Sequence, residues 1–248
     1  MALNHTDVTE RRADFSRFMV HLTRDDSGEI NGASARENFE NILTHGQILA
    51  LRPHCLHRYK VPRDYRKLFN VACFTETPLD QIEHLVAEIS GRRINLEPYG
   101  FVFTREFLLR NGAQQAINVS SYSGTGQIDS FNAIFEMAVA GKFRGRSWKI
   151  LPFVNVMRDD LDFSWEREWR IRGALNFTSD DLQHVILPED ADDELKESLA
   201  RRAISYITVT SGFSLCDYFS HPRQHFELTR VNHVLVLWQR VTSHQNVP

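Results

Sequence analysis

One alternating segment constrains the fold of this chain more than any other. Residues 165–171 read Trp-Glu-Arg-Glu-Trp-Arg-Ile. On a β-strand, alternation would bury Trp165, Trp169 and Ile171 and place Glu166 and Glu168 on the opposite face. The two acids, with Arg170 beside them, then have two interpretations. They form a row of ion pairs on a solvated face, or they are held where a sugar, a phosphate or a cation can be bound.

Short apolar runs alternate with amphipathic stretches along the rest of the chain. The runs predict strands over 18–23, 70–75, 99–103, 117–119, 150–157, 165–171, 184–187 and 234–238. Helical periodicity and caps predict helices that end at Gly46, Gly91, Asn111 and Gly141, and one more over 192–202. Because strands occur at both ends and no linker separates them, we expect one α+β domain over 1–248, with 1–15 as a flexible N-terminal segment.

Composition limits the class of protein. The chain has 248 residues, a net charge of -3 and a pI of about 6.4, so the overall charge does not indicate nucleic-acid binding, although a local patch still can. Three widely spaced cysteines indicate a reducing compartment. The chain shows no signal-peptide pattern and no apolar run of membrane-spanning length. We therefore expect a cytoplasmic protein that does not bind membranes.

Two segments are locally basic and contain aromatic residues. The segment 52–69 carries six cations against the single acid Asp64, with Tyr59 and Tyr65 between them, and 142–149 carries four cations around Phe143 and Trp148. This combination suits phosphate contact plus base stacking, although two solvated loops that offset acidic helices explain it equally well. The candidate contacts to nucleic acid, with DNA expected, are Arg58, Lys60, Arg63, Arg66, Lys67, Lys142, Arg144 and Arg146.

Common catalytic and metal-binding patterns are absent from the sequence. The histidines and cysteines show no zinc spacing, and Gly124-Thr125-Gly126 lacks the remainder of a phosphate loop, so we expect no metal. His21 lies in an apolar run, where a satisfied core histidine is the ordinary interpretation. Glu76 precedes a helix start, where an acid favours the helix dipole, so capping is its ordinary role and catalysis the alternative. Arg24, at a strand end, is well placed to bind a phosphate.

Four short motifs occur in this order: His21-Leu22-Thr23-Arg24, Cys73-Phe74-Thr75-Glu76, residues 99–103 and Glu166-Arg167-Glu168-Trp169-Arg170. Together they resemble the bacterial AbiGi abortive-infection group and the related DUF2971 proteins. The resemblance extends over about residues 18 to 190. It implies a role in defence against phage, and a cognate toxin or another defence protein as a possible partner.

The order of these motifs also resembles ADP-ribosyltransferase folds of the DarT type, which modify DNA with NAD as co-substrate. The resemblance implies a mixed, split central sheet with flanking helices. It implies that His21 and Thr23 hold the ribose, that Tyr99 or Tyr122 stacks on the leaving base, and that Glu168 orients the ribose or deprotonates the acceptor. Glu166 would hold Arg24 or Arg170 in register. A carboxylate in this position stabilises the positive charge that develops on the sugar.

Two other functions stay open at the level of sequence. A DNA glycosylase that extrudes and excises a base from phage DNA would use the same carboxylate without NAD. A non-enzymatic antitoxin or nucleic-acid-binding partner would use the glutamates structurally, and Glu168→Gln would then leave its activity intact.

Overall fold

A seven-stranded sheet is the centre of the molecule, which we describe from a computed structural model. The structure describes residues 15–28, 32–53, 60–87, 96–120, 127–157, 162, 164–209, 226–231 and 234–239. The first 14 residues, and with them most of the predicted N-terminal segment, lie outside this part.

The strands of the described part are β1 (Phe18–Arg24), β2 (Gln47–Ile48), β3 (Val71–Thr75), β4 (Leu96–Thr104), β5 (Gln114–Gln115), β6 (Ile117–Ser120), β7 (Val154–Met157), β8 (Glu168–Arg172), β9 (Leu175–Asn176), β10 (Leu182–Pro188), β11 (Tyr206–Val209), β12 (Phe226–Val231) and β13 (Val234–Gln239). The α-helices are α1 (Ala35–His45), α2 (Glu83–Val86), α3 (Arg105–Arg110), α4 (Gln127–Ala140) and α5 (Asp193–Arg201). Short 3-10 turns cover Arg63–Phe69, Leu79–Gln81, Ser147–Phe153, Ser164–Glu166 and Ser179–Asp181.

The main sheet has the strand order β11-β10-β4-β1-β3-β8-β5. Neighbouring strands in this sheet are antiparallel, except that β10 and β11 are parallel. The predicted α+β class with a mixed sheet is therefore confirmed. All seven strands are hydrogen-bonded in one order, and the predicted split is not found in this sheet. The pairs β2–β9, β6–β7 and β12–β13 form separate two-stranded sheets.

In the described part of the chain, three hydrophobic cores position the other elements. One face of the sheet carries Met19, Phe74, Phe101 and Trp169, which pack with side chains of α1, α3 and α5 such as Phe39. Part of the other face carries Val20 and Val102 and is covered by residues 79–86. A third core, centred on Phe69, Phe135 and Leu151, joins the segment 61–69 to α4 and residues 143–154. Burial of large apolar side chains provides most of the stability of such cores.

Several predicted elements are confirmed because their signals are local. The helix predicted to end at Gly46 is α1, and Gly46 takes the left-handed conformation (φ 59°) that favours glycine at a helix C-terminus. The helix α4 ends immediately before Gly141 and buries the predicted Phe131, Phe135 and Ala138.

Two predicted elements are wrong in extent. The run 150–157 is a strand only over Val154–Met157, because a 3-10 turn that contains Pro152 precedes it. The helix predicted from Thr77 is a 3-10 turn followed by the short α2, and residues 88–95 lie outside the described part.

The alternating segment 165–171 is a strand only from Glu168 onward, within Glu168–Arg172. Arg167 has a left-handed backbone (φ 46°), which ends the extended conformation on its N-terminal side. Trp165 therefore lies in a 3-10 turn, 41% exposed, and donates its indole N–H to the Asp162 carbonyl oxygen at 3.0 Å. The prediction that Trp165 is buried and that Glu166 and Glu168 share one strand face is wrong.

No helix in the described residues is long and apolar enough to cross a membrane.

Candidate functional site

The two basic segments pack against each other. Their aromatic rings join them: Tyr65 lies 4.8 Å from Phe143, Phe69 lies 5.4 Å from Phe143, and Phe69 lies 6.0 Å from Trp148, between ring centroids. These contacts belong to the third core. Two segments that are about 75 residues apart in sequence therefore form one surface.

The cations of both segments are exposed on this surface. We call the following eight residues the basic surface: Lys60, Arg63, Arg66, Lys67, Lys142, Arg144, Arg146 and Lys149. Asp64 is the single acid within 60–69 and 142–149. Arg172 is also exposed, and its guanidinium carbon lies 5.4 Å from the centroid of the Trp148 ring, which extends the positive charge to the end of β8. The predicted Arg58 lies outside the described residues.

An uncommon turn builds one edge of the basic surface. After α4, both Lys142 (φ 50°) and Phe143 (φ 55°) adopt the left-handed conformation. The Phe143 amide donates to the Ala138 carbonyl oxygen at 2.8 Å, and the Lys142 amide donates to the Val139 carbonyl oxygen at 3.0 Å. The turn sends Phe143 into the third core and leaves the cations on either side of it exposed. Each left-handed non-glycine residue costs about 1–2 kcal/mol.

The aromatic side chains of these segments do not form a stacking platform in the described part. Phe69, Phe143 and Trp148 are buried, and Tyr65 is partly buried against Phe143. The sequence pattern suggested base stacking, but these rings are part of the third core, where they pack with Phe131, Phe135 and Leu151. What the basic surface presents to solvent is cationic.

Glu168 is held in a buried ion pair. Arg170 Nε donates to Glu168 Oε1 at 2.9 Å, and Arg170 Nη2 donates to Glu168 Oε2 at 2.7 Å. Asn155 Nδ2 also donates to Oε2, at 3.0 Å. The Glu168 side chain is 13% exposed and that of Arg170 is 3% exposed. Both carboxylate oxygens are therefore occupied by protein donors.

Arg170 has partners for all of its guanidinium nitrogens. Its Nη1 donates to the carbonyl oxygens of Pro152 at 2.8 Å and Val154 at 3.4 Å, and its Nη2 also donates to Asn155 Oδ1. The ion pair thus connects β8 to the residues that lead into β7, which belong to the third core. A planar guanidinium suits such a multiple contact better than an ammonium does.

The pKa of Glu168 reflects two opposing effects. Burial raises the pKa of this carboxyl, but the Arg170 charge and hydrogen bonds from Arg170, Cys73 and Asn155 outweigh it, so the pKa lies below the ordinary value for glutamate. A carboxylate kept ionised and fully engaged in this way stabilises the fold.

The structure does not bring His21 and Glu168 together. Thr75 pairs with Val20 on one side and with Glu168 on the other, so these three residues share a face of the sheet. His21 follows Val20 and lies on the opposite face, where its ring packs 5.8 Å from that of Phe74 and its Nδ1 is 2.8 Å from the Cys73 carbonyl oxygen. Burial lowers the pKa of His21, and the Cys73 carbonyl opposes this effect only in part.

The other predicted sugar-binding residues make structural contacts. Thr23 is buried and donates to the carbonyl oxygens of Ala35 at 2.9 Å and Tyr99 at 3.2 Å, which fixes β1 to the start of α1 and to β4. The Tyr99 ring packs 5.8 Å from that of Phe39. Arg24 Nε is 2.8 Å from a carboxylate oxygen of Asp26.

The remaining predicted residues do not join a common site either. The backbone carbonyl oxygen of Glu166 accepts from Thr75 Oγ1 at 2.6 Å, but its side chain belongs to the 3-10 turn and not to β8. Tyr122 lies outside the described residues.

Sequence reasoning missed Asn155 and gave Glu76 the wrong role, although both residues organise the structure. Asn155 is buried in the middle of an apolar run, and a buried polar residue in such a run is itself a signal of a hydrogen-bond network. Glu76 is buried and does not cap a helix. It accepts from Trp169 Nε1 at 2.8 Å and from Arg105 Nη1. The indole N–H of a buried tryptophan needs a hydrogen-bond acceptor, so Trp169 was the sequence signal for a buried acceptor such as Glu76.

The described residues contain no cluster of three or more histidine, cysteine or acidic side chains that could hold a metal ion. A cleft of about 440 Å³ lies beside the end of α1, between residues 43–46 and 177–182, with Arg202 and Ile204 on its wall. None of the predicted site residues lines this cleft.

Comparison of the chain with family models, with curated proteins and with solved structures found no match.

Proposed function

We propose that this protein binds nucleic acid through the basic surface. The observation that carries the proposal is the packing of two basic segments on one aromatic core, with all eight cations exposed and a single acid within those segments. A polyanion gains affinity from such a surface because each neutralised phosphate releases counterions.

The geometry favours contact with phosphates over contact with bases. The rings that could stack on bases are buried in the described part, whereas the cations end in solvent. Phosphate contacts position a nucleic acid without reading its sequence. We therefore infer that affinity depends weakly on sequence and strongly on salt.

The test is titration of a short fluorescent DNA duplex with the wild-type protein and with Arg66→Gln/Arg144→Gln, at several salt concentrations. We expect the double variant to bind more weakly and the slope of log K against log salt to fall by about 0.9 for each contact removed. The matched control, Arg110→Gln/Arg201→Gln, removes two exposed arginines outside the basic surface. Equal losses in both variants, or no binding by the wild type, would contradict the proposal.

Enzymatic action at an N-glycosidic bond stays a prediction based on family resemblance, as do an ADP-ribosyltransferase-like fold, a role in phage defence and a toxin partner. A cytoplasmic location stays a prediction based on composition. The engagement of both Glu168 oxygens by Arg170 favours a binding protein over a catalyst at this residue. Incubation of the protein with DNA, with and without NAD, separates the activities. Attached ADP-ribose indicates a transferase, abasic sites formed without NAD indicate a glycosylase, and unchanged DNA excludes both for that substrate.

A further inference from the structure

The cleft beside the end of α1 has the size of a small-molecule site. Its volume is about 440 Å³, and protein pockets for small molecules typically start at about 300 Å³. Three pieces of chain form its walls: residues 43–46, residues 177–182, and Arg202 with Ile204 after α5. None of the eight residues of the basic surface lines it. A ligand in this cleft is therefore independent of nucleic-acid binding.

The floor of the cleft is apolar. Phe177 is 8% exposed, Leu182 is 9% exposed and Ile204 is 8% exposed, and all three belong to the core that α1 and α5 form with the sheet. Leu43 packs against the same core from the last turn of α1. A floor of this kind binds an apolar group because both surfaces are removed from water.

The rim of the cleft carries a cation with unused donors. Arg202 is exposed, and its Nη1 donates to the Leu43 carbonyl oxygen at 3.3 Å. Among the described residues this is the one hydrogen bond of a guanidinium that has five N–H donors. The contact fixes Arg202 against the end of α1 and leaves its other N–H groups for a ligand.

The other polar groups of the rim do not neutralise this cation. Thr44 and Ser179 contribute exposed hydroxyl side chains, and no acidic side chain lines the cleft in the described part. The acid beside it, Asp181, is engaged within its own turn, where its Oδ2 accepts from the Thr178 amide at 2.8 Å and from the Thr178 hydroxyl at 2.9 Å. The cleft thus combines an apolar floor with one uncompensated positive charge at its rim.

The walls are held by close backbone contacts. Gly46 has a left-handed backbone (φ 59°), and a Cβ at this position would lie 2.4 Å from the Phe177 carbonyl oxygen. The Phe177 amide donates to the Gly46 carbonyl oxygen at 2.8 Å. On the other wall, Ala203 is left-handed (φ 54°), and the Ile204 amide donates to the Leu199 carbonyl oxygen at 3.0 Å. A cleft fixed in this way loses little conformational freedom when a ligand binds.

We propose that this cleft binds a small molecule that has one carboxylate and an apolar body. The carboxylate accepts from the planar fork of Arg202, which matches the geometry of its two oxygens. The hydroxyls of Thr44 and Ser179 are further donors at the rim. The apolar body lies on Phe177, Leu182 and Ile204.

Titration of the isotope-labelled protein with benzoate, hexanoate and decanoate, followed by NMR, tests the site. We expect at least one of these acids to bind saturably and to shift the backbone amides of residues 43–46 and 177–182. The amide of the same acid should bind roughly tenfold or more weakly, because the charge-assisted contact is lost.

Variants of the rim assign the contact to Arg202. Arg202→Gln should lose roughly tenfold or more in affinity for the acid, and Arg202→Lys, which keeps the charge without the fork, should also bind more weakly. Thr44→Trp, at an exposed position of the wall, fills part of the cleft and should weaken binding as well. The matched control is Arg201→Gln, because Arg201 is the adjacent exposed arginine, pairs with Glu197 and does not line the cleft.

A carboxylate beside an apolar group also occurs at the end of a peptide chain. If a short peptide that ends in leucine binds more tightly than the free acids, and its amidated form does not bind, the source of the carboxylate is a chain terminus. If the free acids bind more tightly, the source is a small metabolite. The proposal is overturned if none of the probes binds saturably, if the amide binds as tightly as the acid, or if Arg202→Gln binds like the wild type. Duplex binding through the basic surface is the same in Arg202→Gln and the wild type, so the two proposals fail separately.

Discussion

Glu168→Gln tests whether the most prominent acid of the sequence stabilises the fold or performs chemistry. The substitution keeps the shape of the side chain and removes the negative charge that faces Arg170. Arg170 itself is only 2% exposed. Removal of one partner from a buried ion pair costs about 3–5 kcal/mol. Because Arg170 keeps the Pro152 carbonyl and Asn155 as acceptors, we expect the lower end, about 3 kcal/mol.

Urea unfolding followed by tryptophan fluorescence and circular dichroism measures this cost. A double-mutant cycle with Arg170→Met isolates the interaction itself. We expect the double variant Glu168→Gln/Arg170→Met to be less destabilised than the sum of the single variants, by about 2 kcal/mol, since neither charge is then buried alone.

The pH dependence of stability provides an independent check on Glu168. Its pKa is lowered in the folded protein, so below the unfolded value, about 4.3, the unfolded chain binds more protons than the native one. The stability contributed by Glu168 is therefore present above that pH and is lost as the pH falls through the folded pKa. The acid-induced loss of stability should be shallower in Glu168→Gln than in the wild type.

A different result would refute the structural role of Glu168. If Glu168→Gln unfolds at the same urea concentration as the wild type, the ion pair does not stabilise the fold as its geometry indicates. If stability is unchanged and modification of DNA is lost, the carboxylate is catalytic. If stability falls and duplex affinity is retained at a temperature where the variant is folded, the structural role is supported.

Three further predictions concern other parts of the molecule. Lys142→Gly should raise the free energy of unfolding by about 1 kcal/mol, because glycine accepts the left-handed backbone, and should weaken duplex binding, whereas Lys142→Gln should only weaken binding. Burial lowers the pKa of His21 in the folded protein, so stability should fall as the pH drops below about 6.5. His21→Gln should flatten this dependence of the melting temperature, and an unchanged profile would contradict it. Trp169→Phe removes a donor to the buried Glu76 and should cost about 1–3 kcal/mol in urea unfolding; a smaller loss would mean that Glu76 finds another donor.

The parts of the fold that the sequence predicted correctly depend on neighbours in the chain. The helix α4 follows from the spacing of Phe131, Phe135 and Ala138, and it ends at Gly141 as expected. The strands β1, β3, β4 and β10 follow from short apolar runs, because an extended segment needs one apolar face to enter a core. These signals are contained within a few residues, so no knowledge of tertiary contacts was needed.

Only the tertiary structure decided which side chains meet. The sequence alone predicted that Glu168 and Arg170 share the strand face opposite Trp169, and it identified two basic segments that contain aromatic residues. It did not determine that Glu76 would accept from Trp169, 93 residues away, or that the aromatic rings of the basic segments would form a core. Arg167 carries no sequence signal for a left-handed backbone, yet its conformation removes Trp165 and Glu166 from the strand. The physical reason is that the periodicity of apolar residues indicates only which face of a helix or strand is buried. Partners that are distant in sequence and adjacent only after folding decide ion pairing, the burial of charge and backbone strain.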